Sequence, residues 1–196
     1  MDITLIPALA AFAFATSITP GPNTLMLMAS GANFGLRRTL PHMLGVGIGF
    51  TVMLAGVGLG VTELLAAVPA LGLALKLACA AFLLRLAWRV AHAGPADRAA
   101  RARPMSFLEA AAFQWINPKG WAMALAAVGV YAPGEGAAAV LVTAAVFGAV
   151  NLPSVGAWAA AGRMLDRWLA PPRRRRAFNR TMALLLLATL PPALLA

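Results

Sequence analysis

The sequence predicts an all-α membrane protein with six transmembrane helices, and three observations lead to this fold class. Hydrophobic residues make up 61% of the 196 residues and charged residues only 11%, with a mean hydropathy of +0.80 that soluble domains do not reach. Apolar runs long enough to cross a bilayer occur six times along the chain. Basic residues occupy alternate connections between these runs.

The predicted spans follow from length, because a helix needs about 20 apolar residues to cross a hydrocarbon core of roughly 30 Å. The connections between the apolar runs are too short for a separate soluble domain, so we expect one domain over residues 1–196. The sixth span is the least regular, because Pro191 and Pro192 lie close to its end. The spans cover approximately residues 3–28, 40–61, 69–88, 107–131, 137–161 and 177–195.

The distribution of arginine predicts how the chain is oriented. A formal net charge of +10 would suggest nucleic acid as the partner of a soluble protein, but here the charges follow the predicted topology, and no nucleic acid is expected. Cytoplasmic connections are enriched in basic residues, so we expect the first, third and fifth connections to be cytoplasmic and both termini to lie outside. The arginines in and beside these connections are Arg37, Arg38, Arg85, Arg89, Arg98, Arg101, Arg103, Arg163, Arg167, Arg173, Arg174, Arg175, Arg176 and Arg180.

Two stretches allow a second interpretation. The sequence "PPRRRRAFNR" at 171–180 is either an anchor of the topology, which we favour, or a basic patch that binds anionic lipid or nucleic acid. The chain begins with "MDITLIP", which has Asp2 where a signal peptide has basic residues. We therefore interpret this stretch as part of a retained first span.

Helix-breaking residues occur in the middle of two predicted spans. The first span contains "SITPGPN" and the fourth contains "WINPKG", and Pro20 and Pro118 lie 98 residues apart, half of the 196-residue chain. Two halves of three spans each have opposite orientations in the membrane. We therefore expect two inverted three-helix repeats, about 1–92 and about 105–196, with helices 1 and 4 broken.

A pair of breaks at mid-membrane depth predicts a solute site. Backbone groups freed by a broken helix need partners, and such breaks are tolerated where they face protein or a water-filled cavity. The N-terminal ends of half-helices attract anions and the carbonyl ends attract cations, which suits a small zwitterion. The candidate substrate-binding residues are Thr19, Pro20, Gly21, Pro22, Asn23, Asn117, Pro118 and Lys119, with Asn151 as a further candidate.

Each of these residues also has a simpler interpretation. A proline in a transmembrane helix is often only a kink, and Lys119 could extend toward the membrane surface, as we expect of Lys76. However, Lys119 lies about a dozen residues inside the fourth span, where a charge is expensive and usually functional. Asn151 could bond a neighbouring helix rather than a solute.

Glycines recur in the second span. Gly45 and Gly49 form one pair at a spacing of four, and Gly56 and Gly60 form another. Such pairs let helices approach closely. We expect them to serve packing within the chain, and a homodimer is the alternative.

The sequence contains none of the patterns expected of an enzyme. The single Cys79 excludes an intramolecular disulfide and a thiolate cluster, and His42 and His92 lie in different segments without metal-ligand spacing. No Ser/His/Asp arrangement, phosphate-binding loop or pair of carboxylates occurs at membrane depth. We therefore expect no enzymatic activity, no cofactor and no bound metal.

The motifs at the two breaks carry a family resemblance. The stretches "ITPGPN" at 18–23, "LKLACAAFLLRLAW" at 75–88 and "FQWINPKG" at 113–120 resemble the LysE/RhtB family of amino-acid exporters, and the resemblance covers nearly the whole chain. The stretches "RPMSFLEAAAFQWINPK" and "GAVNLPSVGAWAAAGRML" look most like the cysteine and O-acetylserine exporter subgroup. At four positions of the third span, many relatives have, in this order, glycine, tyrosine, a further apolar or aromatic residue, and glycine. The corresponding residues here are Cys79, Phe82, Arg85 and Ala87, which argues against a lining role for that span.

The resemblance implies a secondary transporter of the bacterial inner membrane that exports small amino acids or their derivatives, either cysteine- or O-acetylserine-like or threonine- or homoserine-like. It also implies the use of protons as coupling ion, and it is compatible with a homodimer. Export would proceed by alternating access, with the two repeats rocking around the site. The substrate carboxylate would meet Lys119 and a half-helix N-terminus, and its ammonium would meet freed carbonyls and Asn23 or Asn117.

The residue that couples export to protons is not evident from the sequence. Proton-driven carriers commonly use an Asp, Glu or His within the membrane, whereas Glu63, Glu109 and His42 lie near span ends. Glu109 is the candidate if the fourth span begins earlier than residue 107.

Two other function classes stay open. A divalent-metal exporter of the same fold would be expected to carry metal-binding side chains within its spans, and these are scarce. A non-transporting membrane scaffold would explain the glycine pairs, but it would not need two matching breaks.

Overall fold

Helices form every regular element of the computed structural model, which describes residues 3–92, 103–132 and 136–189. The prediction of an all-α protein is confirmed for these residues. A 3-10 turn, Ile3–Leu5, precedes the first helix, and a π-helical turn, Val57–Val61, follows the second. The α-helices are α1 (Ile6–Ile18), α2 (Pro22–Gly56), α3 (Thr62–Ala67), α4 (Pro69–Ala91), α5 (Phe107–Gln114), α6 (Pro118–Tyr131), α7 (Gly136–Met164) and α8 (Pro172–Ala188).

Two continuous helical segments of the described chain are long and apolar enough to cross a bilayer. One is Pro22–Leu64, which contains α2 and the π-helical turn, and the other is Gly136–Met164, which is α7. Of the remaining predicted spans, the first corresponds to α1 with the start of α2, and the fourth corresponds to α5 with α6. The third corresponds to α4, and the sixth overlaps α8.

The connection predicted between the first two spans is helical except at Gly35. This glycine has a φ of 74° and a ψ of 169°, so α2 is kinked there. Glycine reaches a positive φ at little cost because it lacks a Cβ atom. A kink at a single residue therefore takes the place of the predicted connection.

The last helix begins earlier than the predicted sixth span. α8 starts at Pro172, because a proline fits the first turn of a helix, where its missing N–H is not needed. The arginine-rich stretch therefore forms the first turns of α8 rather than a connection. Residues 190–196, in which the predicted span ended, lie outside the described residues.

The chain leaves helical geometry at both prolines that the sequence singled out. α1 ends at Ile18, Thr19 is extended with a ψ of 135°, and α2 begins at Pro22. α5 ends at Gln114, Asn117 is extended with a ψ of 107°, and α6 begins at Pro118. Each proline restricts the residue before it to extended conformations, which ends the preceding helix and starts a new one.

Close contact between α2 and α7 forms the centre of the fold. A Cβ atom on Gly31 would collide with the carbonyl oxygen of Ala159, and one on Gly162 would collide with that of Met28. Small residues at such crossings let two backbones touch. This crossing holds α7 beside both the first break and the kink of α2.

The first of the two glycine pairs of the second span packs inside the chain. A Cβ atom on Gly45 would meet the carbonyl oxygen of Phe107, and one on Gly49 would meet Ala111. Both neighbours belong to α5. The surface formed by Gly45 and Gly49 is therefore occupied within the monomer.

A small ion-pair network joins the end of α7 to the start of α8. The Asp166 carboxylate accepts from Arg163 at 2.5 Å and from Arg175 at 2.8 Å, and Arg175 also donates to the carbonyl oxygen of Ala32 on α2 at 3.1 Å. The hydrogen bond from Arg175, with the positive charges of both arginines, lowers the pKa of Asp166 below its ordinary value. The network ties three helices together near the kink at Gly35.

Candidate functional site

A small cavity lies between the two breaks and the middle of α7. Its volume is about 30 Å³, room for about two water molecules. Four of the residues that the sequence singled out at the breaks line it, and so does Asn151. The lining residues are Thr16, Ser17, Gly21, Asn23, Thr24, Phe50, Asn117, Lys119, Gly120, Met123, Asn151 and Val155.

Lys119 connects the two breaks directly. Its Nζ atom donates to the carbonyl oxygen of Thr19 at 2.5 Å. This carbonyl is one of the groups that the end of α1 leaves without a helical partner. The ammonium group of the second break therefore satisfies a backbone acceptor of the first.

Gly21 makes room for the Lys119 side chain. A Cβ atom on Gly21 would lie 2.7 Å from Cδ and 3.3 Å from Nζ of Lys119. Real Cβ contacts are essentially never so short, so any larger residue at position 21 would displace the lysine. The glycine of the "TPGPN" motif is explained by this approach rather than by an unusual backbone angle, since its φ of −175° is ordinary extended backbone.

A pair of amides lies beside the cavity, and one of them, Asn23, lines it. Asn23 Nδ2 donates to Gln114 Oε1 at 2.7 Å, and Gln114 Nε2 donates to Asn23 Oδ1 at 3.2 Å. Gln114 is fully buried and also donates to the carbonyl oxygen of Ala110 at 2.8 Å. The start of α2 is thus fixed to the end of α5 by side chains that satisfy each other.

Two buried carbonyl groups have no partner among the described residues. They are the Oδ1 atoms of Asn117 and Asn151, two residues of the cavity wall. Asn151 uses its other side-chain atom, since Nδ2 donates to Ser17 Oγ at 2.9 Å. Buried acceptors without partners are costly, and both belong to a site with room for a hydrogen-bond donor.

The arrangement of charge suits a zwitterion. Lys119 is the second residue of α6, so its ammonium lies near the positive end of that helix. This part of the cavity attracts an anionic group such as a carboxylate. The unpartnered oxygens of Asn117 and Asn151 attract a donor such as an ammonium group.

The cavity is nevertheless too small for an amino acid. An α-amino acid has at least five non-hydrogen atoms, whereas about 30 Å³ holds about two water molecules. The hydrogen bond between Lys119 and Thr19 crosses the space between the breaks. The site must therefore widen to admit such a ligand.

Three of the predicted residues act through the backbone. Thr19 contributes its carbonyl oxygen, because its hydroxyl group donates to the carbonyl oxygen of Ala15 at 2.6 Å and so points back along α1. Pro22 and Pro118 begin α2 and α6. Pro20 lies between the helices and is exposed.

Sequence reasoning missed several polar residues of the site. Gln114 belongs to the quoted stretch "FQWINPKG", three residues before Asn117, and a turn in which the Asn117 N–H donates to the Gln114 carbonyl oxygen at 3.2 Å brings the two near each other. Ser17 and Thr24 flank the first break in the same way and are buried. The sequence signal for Ser17 and Thr24 was a small polar side chain within an apolar run.

Glu109 and His42 do not line the cavity. Glu109 lies in the first turn of α5, where both carboxylate oxygens accept from Arg103 at 2.8 Å and one also accepts from the Ser106 N–H at 2.8 Å. His42 on α2 is 1% exposed, and neither ring nitrogen has a hydrogen-bond partner in the described part of the chain. Within that same part, no group of three or more His, Cys, Asp or Glu residues is placed to hold a metal ion.

Comparison with known protein families shows which family the chain belongs to. The family model described as "LysE type translocator" matches residues 14–189, which include both breaks and every lining residue of the cavity. The chain belongs to the LysE-type translocator family. The resemblance expected from the break motifs is thereby confirmed.

Three curated relatives of this LysE-type translocator share one name. The "Cysteine/O-acetylserine efflux protein" of Klebsiella pneumoniae subsp. pneumoniae is 30% identical over 119 residues, 61% of each chain. The protein of that name in Escherichia coli strain K12 is 29% identical over the same share, and that of Salmonella typhimurium is 29% identical over 115 residues, 59% of each chain. The translocator thus spans about three fifths of the length of the curated relatives it matches. No solved structure matches it.

Proposed function

We propose that this LysE-type translocator is a secondary transporter that exports small amino acids or their derivatives across the bacterial inner membrane. Efflux proteins for cysteine and O-acetylserine among its relatives support the substrate class. One structural observation carries the proposal: the Lys119 ammonium bridges two helix breaks beside a cavity with two unpartnered acceptors.

The proposed binding mode replaces contacts that the site makes without substrate. The substrate carboxylate takes the place of the Thr19 carbonyl oxygen at the Lys119 ammonium, a stronger partner because it carries a full charge. The substrate ammonium donates to Oδ1 of Asn117 and Oδ1 of Asn151. Binding thus releases the bond that joins the breaks and satisfies two buried acceptors at the same time.

Transport in this proposal proceeds by alternating access. Residues 1–92 and 105–196 act as two inverted three-helix repeats, which rock around the cavity and expose it to each side in turn. The arginine-rich ends face the cytoplasm and both termini lie outside, in accordance with the distribution of basic residues. Six spans then comprise α1 with the start of α2, the remainder of α2, α4, α5 with α6, α7 and α8.

Protons are the coupling ion in this proposal, and Glu109 is the carboxylate considered from the sequence. Its bidentate ion pair with Arg103 stabilises the charged form, so a proton can bind only after this pair opens. A carrier role for Glu109 therefore requires the ion pair to separate during the transport cycle.

The test is efflux of labelled amino acids from cells that express the protein. The panel contains cysteine, O-acetylserine, threonine, homoserine and lysine. We expect efflux of one or a few of these compounds, and its loss in Lys119→Ala and in Asn117→Ala at unchanged abundance in the membrane. Lys76→Ala is the matched control, because Lys76 is an exposed lysine of α4 outside the cavity.

The same experiment separates the alternatives. Efflux that persists in Lys119→Ala at wild-type abundance removes Lys119 from the site. No efflux of any compound above that of cells without the protein overturns the proposed substrate class. Metal tolerance of the same cells then tests a divalent-metal exporter, and the absence of any solute flux leaves a membrane scaffold.

A further inference from the structure

A second cavity lies between α4 and α8, away from the site at the breaks. It is an open groove of about 380 Å³, and almost all of its wall is apolar. α4 contributes Leu84 and Trp88, and α8 contributes Leu184 and Leu187. Arg180 is the charged residue of the wall, and none of the lining residues belongs to the cavity at the breaks.

The basic residues of α8 continue the line of this groove. Residues three, four and seven positions apart lie on one side of a helix, so Arg173, Arg176 and Arg180 share a face with Leu184 and Leu187. All three arginines are exposed, and within the described chain none has an ion pair or hydrogen bond. The face is therefore basic in its first half and apolar in its second.

The neighbouring arginines of the same stretch have other contacts. Arg174 lies over the Trp168 ring at 5.3 Å, and Arg175 is paired with Asp166 at 2.8 Å. A topology anchor would need positive charge alone, without regard to the face on which it lies. Arg174 and Arg175 thus have partners within the chain, whereas the arginines on the face beside the groove have none among the described residues. This difference points to a ligand.

The opposite wall places the mouth of the groove at the membrane surface. Trp88 is 68% exposed and lies one turn before the end of α4, next to Arg89 and in a tilted contact with the His92 ring at 3.9 Å between ring centroids. Exposed tryptophans near the ends of apolar helices are typical of the headgroup region of a bilayer. Arg180 borders this region, and Leu184 and Leu187 continue from it toward the apolar part of α8.

We propose that the groove binds one anionic phospholipid. An acyl chain lies between α4 and α8 against Leu84, Leu184 and Leu187, and the phosphate group is held by Arg180 and Arg176. Along α8 a basic surface is followed by an apolar one, which is the order of headgroup and acyl chain in a lipid. Basic pockets between helices on the cytoplasmic side are known to select such headgroups.

Charge distinguishes this occupant from a second copy of the chain. In a two-fold symmetric dimer the same surface meets itself, so the arginine face would lie against an identical arginine face. Like charges in an interface are unfavourable. An anionic headgroup instead neutralises this face, and this argument does not depend on the exported solute.

The test uses Trp88 as a reporter in purified protein reconstituted into phosphatidylcholine nanodiscs. Lipids with brominated acyl chains quench a tryptophan that they touch. We expect brominated phosphatidylglycerol to quench Trp88 at a mole fraction several-fold lower than brominated phosphatidylcholine, with Trp88→Phe giving the background from the other tryptophans. Arg180→Gln should abolish this preference, and Arg176→Gln should weaken it.

Arg37→Gln is the matched control. It removes the same charge from an exposed position of α2 outside the groove, and it should keep the preference. Circular dichroism of each variant checks that it is folded, and Arg176→Gln carries the test if Arg180→Gln does not fold.

Three results would overturn the proposal. Equal quenching by the two lipids in the wild type would show a groove without headgroup selection. Equal loss of preference in Arg37→Gln and Arg180→Gln would assign the effect to the overall surface charge. Absence of quenching by either lipid, together with a dimer mass by light scattering, would place a second copy in the groove.

Discussion

Asn23 and Gln114 exchange two hydrogen bonds across the two helix breaks, although 91 positions separate them in the chain. One amide belongs to the first turn of α2 and the other to the last residue of α5. Because each amide is both donor and acceptor, the pair specifies the distance and the orientation of the two helix ends. The cavity lies beside these two hydrogen bonds, so the shape of the cavity depends on both amides.

Removing one of these amides should destabilise the protein. Gln114→Ala leaves Asn23 without either partner and should lower the free energy of unfolding by about 1–3 kcal/mol, the range for a buried polar group that loses its hydrogen bonds. A double-mutant cycle with Asn23→Ala should give a coupling energy of about 0.5–3 kcal/mol. Thermal unfolding of the purified variants measures both. Strictly additive effects would contradict a direct interaction.

Enlarging Gly21 should impair export without preventing assembly. In Gly21→Ala the new Cβ atom would lie 2.7 Å from Cδ of Lys119, so the lysine must move away from Thr19. We expect efflux to fall severalfold at normal membrane abundance, because a flexible side chain yields more readily than backbone. Gly129→Ala on α6 is the control, since a Cβ atom there has no neighbour within 4 Å. Wild-type efflux in Gly21→Ala would argue against a role for the lysine position.

Enlarging Gly162 should instead affect folding. Its Cβ atom would collide with the backbone of Met28 and approach that of Ala32, and backbone cannot move aside as a side chain can. Gly162→Ala should therefore cost about 1–3 kcal/mol of stability, as expected for overpacking. Gly156→Ala on the same helix is the comparison, because its nearest neighbour is the mobile end of the Met43 side chain at 3.3 Å. Equal melting temperatures of the two variants would refute the close crossing of α2 and α7.

Neutralising Glu109 tests its part in proton coupling. The ion pair with Arg103 keeps the carboxylate charged, so we expect Glu109→Gln to retain the pH dependence of efflux and to lose a modest amount of stability. The measurement is efflux driven by an imposed pH gradient, compared with exchange of labelled for unlabelled substrate at equal pH. Retained exchange with loss of the response to the gradient would instead assign the proton to Glu109.

The sequence was sufficient to locate the breaks, because proline and glycine act on the backbone at their own positions. The structure departs from helical geometry at Pro20, Pro22 and Pro118. Pro41 and Pro153 lie inside helices, so the motif around a proline is needed to predict a break. The local effect of proline does not show which distant residues contact the break. Nothing in the position of Lys119 along the chain shows that its ammonium reaches the carbonyl of Thr19.

The kink at Gly35 and the role of Gln114 could not be predicted for related reasons. A glycine in a helical run is compatible with ordinary helix or with positive φ, and only the packing of α2 decides between them. A single glutamine in an apolar span has no periodic pattern that reveals its contact. Both features depend on residues far away in the sequence.

The small volume of the cavity between the breaks limits what can pass through it. A membrane protein with a water-filled passage between its helices would let ions run down the gradients that the cell maintains. Here the Lys119 side chain lies in the space between the breaks, which has room for about two water molecules. In this conformation the cavity is therefore too small to serve as a path for hydrated ions.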